Sequence, residues 1–210
     1  MSRNEQRNVP THVRDQARTL AQHEMGHYVV SKLMGFVTGD VNIEVHYKGH
    51  LGAATIHLAQ PLRGVDAVSS YLERRVLVLY AGAMAETLPP SHIPKTGVDN
   101  EKAVAIIRGA QGAEQDHAKA REAIHLLRNI LHPETHDRGE VQDQLDKLDE
   151  KLWKRAVELV EQFEKTIVGV AGALTQKLKV GDRRDTYLAT LTESQLAEIP
   201  AIAQLPLLTP

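Results

Sequence analysis

The chain has 210 residues, of which 42% are hydrophobic and 4% aromatic, and a formal charge of -2 at pH 7. That is enough apolar content for one domain with an aliphatic core, and the near-neutral balance excludes a strongly basic nucleic-acid binder. There is no cysteine, so disulfides, thiolate metal ligands and thiol nucleophiles are excluded.

The N-terminal stretch MSRNEQRNVPTHVRDQ is polar and has no apolar core of a signal peptide. No run approaches the roughly 20 apolar residues of a membrane span. A soluble, cytoplasmic protein without membrane insertion is the expectation. Residues 1–13 read as a polar N-terminal arm. A helix is predicted from Asp15, as N-cap, to Met34, with Gly35 as its stop. Val41, Ile43, Val45 and Tyr47 then alternate with Asn42, Glu44 and His46, the period of a half-buried strand. Lys48-Gly49-His50 turns the chain into a second strand from Ala53 to Leu58.

From Gly64 to Leu88 the apolar spacing is helical and wide, as in a helix buried on most sides. Its small-residue segment, AGAMA, allows another helix to approach closely. PPSHIPKTG must end that helix. Further helices are expected near Asp99, over 113–131, and as one long element from Glu140 to Leu178. A stripe including Leu145, Leu152, Leu159, Phe163, Ile167 and Leu174 runs along this last helix. Thr192 caps a short final helix in TLTESQLAEI. The predicted class is mainly α (α+β), with a small β-hairpin or sheet after the first helix.

The first helix carries His23-Glu24-Met25-Gly26-His27. Two histidines four residues apart project from one helix face and can both reach a Zn²⁺ at about 2.0–2.1 Å. Glu24, about 100° around the helix, is placed to act on a zinc-activated water as general base, as peptide-bond hydrolysis requires. Gly26 lets another element approach. The bland alternative is a chance pattern in a histidine-rich chain. A catalytic zinc needs a third protein ligand. Glu86, Asp99, Glu101 and the remaining histidines are the candidates. Asp99 also suits simple helix N-capping, and Glu86 suits a group that orients a ligand histidine.

His46, His50 and His57 fall on the hairpin, where a solvated face explains them. An exposed strand beside a zinc cleft would bind peptide by β-augmentation. Glu114-Gln115-Asp116-His117 and nearby His125 suggest a second cluster, whose reading as a metal site lacks a matching partner in the sequence. Charges over 140–165 read as a solvated helix face.

LAQHEMGHYVV, VNIEVHYKGHLGAATIHL, YLERRVLVLYAGAMAETL and KTGVDNEKAV occur in an order that resembles the peptidase domain of the FtsH-type ATP-dependent zinc proteases. That family has H-E-A-G-H, L-G-x-T, G-G-R-x-A-E-E and T-G-A-S-N-D-L-E-K-A-T in the same order. KLWKRAVELVEQFEKTIVGVAGALTQKL with TLTESQLAEI resembles its C-terminal helical part. The likeness covers residues 15–200. It implies a helical metallopeptidase domain over 14–200, with a zinc-binding part (14–110), a helical C-terminal part (111–200) and a tail (201–210). It implies a zinc cofactor, His23, His27 and Asp99 as ligands, Glu24 as the catalytic base and a polypeptide substrate. Pairing TGV without a gap would instead make Glu101 the third ligand. The family forms hexameric rings, so a homo-oligomer is a further expectation.

The departures are a missing Walker-type motif and anchor, Ala83 at the arginine of G-G-R, and a poor match over 108–138. They predict a stand-alone peptidase or one served by a separate ATPase or unfoldase. The rival is a peptidase-like binding or regulatory protein with a structural or unused zinc site.

Overall fold

The structure is a computed structural model that describes residues 9–46, 49–90, 97–109, 113–183 and 185–210. Tyr47, expected to end the first strand, Lys48 of the expected Lys48-Gly49-His50 turn and most of the proline-rich loop (91–96) lie outside these residues, and Gly49 and His50 belong to the second strand rather than to the turn. The element order is α1 (Thr11–Leu33), β1 (Val37–His46), β2 (Gly49–His57), α2 (Val65–Glu86), α3 (Asn100–Arg108), α4 (Glu114–Leu131), α5 (Arg138–Gln162), α6 (Glu164–Gln176), β3 (Lys179–Val180), β4 (Thr186–Leu191), α7 (Glu193–Ala197) and α8 (Pro200–Ala203). The class is mainly α with a small antiparallel sheet, as the sequence predicts.

Helix α1 lies at the centre and packs on α2, α6, β1 and β2. Its start corrects the sequence reading. Pro10, not Asp15, occupies the N-cap, so residues 11–13 belong to the helix rather than to a polar arm. Val9 and Val13 are buried, and that burial carries the helix backwards past Asp15. Its end follows the prediction. Gly35 is left-handed (φ +74°), its N–H donates to Lys32 O and the Phe36 N–H donates to Ser31 O. These paired bonds satisfy the last carbonyls of the helix, and a left-handed residue there favours glycine.

Helix α2 crosses α1 at the small-residue segment. A Cβ built on Gly26 would sit 2.5 Å from Ala81 O and 2.6 Å from Ala85 Cβ, so hydrogen at position 26 is what permits this approach. Outside the pair, α4 and α5 cover α2, and α6 covers α1.

The sheet order is β2-β1-β4-β3. In β1, Val41, Ile43 and Val45 are buried while Asn42 is exposed, the alternation expected of a half-buried strand. β4 was not anticipated. It pairs with β1 with Val41 opposite Leu191 and Ile43 opposite Ala189. Its six residues are too few for their alternation to stand out beside the long helical stripes. β2 is left as an edge strand, with His50, Leu51, Gly52 and Ala53 exposed.

The single helix expected over 140–178 is two. Phe163 leaves helical geometry (φ -106°, ψ 16°) between α5 and α6. α5 packs mainly on α2, and α6 mainly on α1. The apolar stripe continues through the turn, so periodicity alone conceals it. The final capping prediction holds: Thr192 accepts from Gln195 N, and the Gln195 side chain accepts from Thr192 N.

Candidate metal centre

The HExxH turn of α1 is enclosed from three sides. α2 runs beneath the histidines, β2 lies over the glutamate, and the first turn of α4 closes the remaining side. Together they bound a cleft of about 640 Å³ lined by His23, Glu24, His27, Glu86, Asp116 and the edge of β2.

The ring nitrogens are committed by their surroundings. His27 Nδ1 lies 2.8 Å from Val78 O. A carbonyl can only accept, so Nδ1 carries the proton and, in the neutral ring, Nε2 presents its lone pair. His23 Nδ1 is bonded at 3.0 Å to Glu86 Oε2, which sets the same tautomer. The two Nε2 atoms therefore face each other 3.1 Å apart. Asp116 Oδ2 completes a triangle, 3.6 Å from His23 Nε2 and 3.1 Å from His27 Nε2.

Three lone-pair atoms at such distances repel unless a proton or a metal cation lies among them. Tetrahedral ligands on bonds of about 2.0–2.1 Å stand about 3.3 Å apart, so the triangle already has the size of one face of such a site. Residues His23, His27 and Asp116 could hold a metal ion.

Protonation follows the same charges. Burial disfavours a proton on His23, but hydrogen bonds to Asp116 and Glu86 and the charges of Glu24 and Glu86 outweigh it, raising its pKa from 6.5 to about 10. For Asp116, burial pushes upward, yet the hydrogen bonds and charges of both histidines hold the carboxyl far below the usual carboxylate range. An environment that binds a proton this strongly between a carboxylate and two imidazoles also favours a metal cation.

Glycines make the arrangement possible. A Cβ on Gly82 would lie 2.5 Å from His27 Cε1 and 2.8 Å from His23 Nε2. A Cβ on Gly52 would lie 2.7 Å from the Glu24 carboxyl carbon and 2.8 Å from its Cγ. Both histidine rings thus rest in a notch of α2, and the Glu24 carboxylate in a notch of β2. Glu24 is 7% exposed and His27 8%, so these side chains are held by packing.

Asp99 and Glu101 are elsewhere. The Asp99 carboxylate accepts from Lys102 N at 3.0 Å as the N-cap of α3, and its own N–H donates to Thr87 Oγ1. Glu101 is exposed in the first turn of the same helix. Neither lines the cleft, and the aspartate brought to the histidines is Asp116. Glu86 takes the orienting position beside His23. His50 bonds to Gln16 at the cleft mouth, while His117 and His125 line a different hollow with Tyr80 and Arg108.

A signal for Asp116 was present. Gly112-Ala113-Glu114-Gln115-Asp116-His117-Ala118-Lys119-Ala120 carries G-A-x-x-D-x-x-K-A, which aligns without a gap to G-A-S-N-D-L-E-K-A. The E-K-A after Asn100 drew the register to Asp99 and required a shortened loop. A scan against protein-family models found no match to the chain, and a search of curated proteins found none either.

Proposed function

We propose that this protein is a zinc metallopeptidase of the FtsH-type peptidase class, hydrolysing peptide bonds of an extended polypeptide. The observation that carries the reading is the convergence of His23 Nε2, His27 Nε2 and Asp116 Oδ2 beside a buried Glu24. The ungapped register at Asp116 supports the same class. His23, His27 and Asp116 would hold the ion. Zinc, when bound, supplies Lewis acidity that polarises a carbonyl and acidifies water.

The chain's own residues do the rest. Glu24 is next to His23 in sequence, lines the cleft and is pinned beneath Gly52. Its carboxylate accepts the proton of the attacking water and returns it to the leaving amine. Glu86 and Val78 O hold the two imidazoles in the tautomer that ligation needs. The β2 edge lines the same cleft, and an edge strand presents main-chain groups that pair with an extended chain regardless of its sequence. Strand pairing would lay a substrate backbone alongside Glu24.

The test is cleavage of a loosely folded protein by zinc-loaded wild type, with Glu24→Gln beside it. Cutting by wild type alone, with equal zinc in both, is expected. If both hold zinc and neither cuts, with or without an added unfoldase, the peptidase reading fails and the groove is a binding site.

A further inference from the structure

Helix α2 contributes more to the cleft than the histidine notch. Arg75, Leu79, Gly82 and Glu86 follow one another at steps of four, three and four residues, which is one helix face. Gly82 and Glu86 serve the histidines. Arg75 lines the same cleft two turns away.

Its condition contrasts with that of its neighbour. Arg74 is fully employed: it donates to Met34 O, Gln60 Oε1 and Ser70 O and lies over the Phe36 ring. Arg75 is half-buried, yet among the described residues it makes no hydrogen bond or ion pair. Its nitrogens are not sealed from the cleft. The charge of Asp116 acts on Arg75, but the Asp116 carboxylate contacts both histidines, Glu86 holds His23, and Glu24 is packed against Gly52. A guanidinium has five N–H donors in a planar fork that matches a carboxylate. Partly desolvating one that has no hydrogen-bonded partner is costly, and that cost is recovered when an anionic ligand bonds to it.

We propose that Arg75 is a specificity-determining residue that takes a substrate carboxylate close to the scissile bond. The proposal rests on the peptidase reading for what happens to the bound chain, but not for the binding itself. Seven residues of α2 separate Arg75 from the histidine notch, a rise of about 10 Å. An extended peptide advances about 3.3 Å per residue, so the carboxylate would fall within about three residues of the bond cut. A chain terminus and an acidic side chain offer the same group.

The experiment uses matched peptides: one pair differing in a free or amidated C-terminus, the other in an internal Glu or Gln. Binding is read by fluorescence anisotropy on the zinc-loaded Glu24→Gln protein, and cleavage on wild type. At least one pair should show a tenfold or greater preference for the carboxylate member, and which pair does so identifies the source. Arg75→Gln should drop the acid peptide to the level of its amide partner, with zinc content unchanged, and Arg75→Lys should recover part of the preference. Absence of any preference, or its survival in Arg75→Gln, overturns the assignment. Cleavage of both members equally would leave the peptidase standing without this role for Arg75. An Arg75-dependent binding preference without cleavage would do the reverse.

Discussion

Two supports hold the HExxH turn, and they differ in kind. Beneath the histidines, α2 is buried along Val76–Ala85, and Gly82 touches rings that are themselves enclosed. Over Glu24, β2 is an exposed edge strand whose Gly52 meets one carboxylate. The first contact lies inside the core, where neighbours cannot yield. The second lies at a rim that can shift. On the proposed reading, metal binding and proton transfer rest on separate walls, and substitutions should uncouple them.

The largest expected effect comes from the third wall. Asp116→Ala removes one of the three proposed ligand atoms and leaves two imidazoles facing each other, so zinc affinity should fall by more than about 100-fold, beyond the effect typical of losing an orienting group. A competition titration with a chromophoric chelator would measure it, and retention of affinity would mean that another side chain is the ligand.

Gly82→Ala comes next. Its methyl must displace both histidine rings, so a stability loss of about 1–3 kcal/mol is expected from overpacking, together with weakened zinc binding, read by thermal melts with and without zinc. Glu86→Gln is milder. It keeps a hydrogen-bond acceptor but removes charge, and zinc affinity should fall by about 10-fold, at the low end for such orienting groups.

Gly52→Ala sharpens the comparison between the two supports. It should leave zinc content intact and lower the cleavage rate by about 10-fold or more, because a carboxylate moved by about 1 Å loses its alignment. Equal loss of zinc and rate would show that the two walls act as one. The smallest effect is expected at Asp99→Ala, about 1 kcal/mol of stability through the lost N-cap, with zinc affinity unchanged.

The contrast between Asp99 and Asp116 also shows where the sequence is legible. Both stand at the start of a helix, and both precede a Lys-Ala pair. Capping explains one; the first-turn position of the other suits the helix dipole of α4 but does not explain its place beside two histidines. Only the packing of α4 against α2 brings Asp116 to histidines some ninety positions earlier in the chain. Gly82 and Gly52 were likewise visible as letters, but their role as notches depends on which side chain faces them across an interface. The break at Phe163 and the pairing of β4 with β1 were hidden for a related reason, since both depend on which element each face covers.

By itself, the sequence determined what arises within one turn or one strand. That includes the histidine pair on one face of α1, the glutamate beside it, the Gly35 stop, the alternation of β1 and the capping box at Thr192. These features follow from helix and strand periods and from local hydrogen bonds. Tertiary structure decided which carboxylate joins the histidines, which glycines yield space to them and which arginine is left facing the cleft. Those outcomes depend on the approach of elements far apart in the chain, where packing density and the pairing of buried charge, rather than local pattern, select the neighbours.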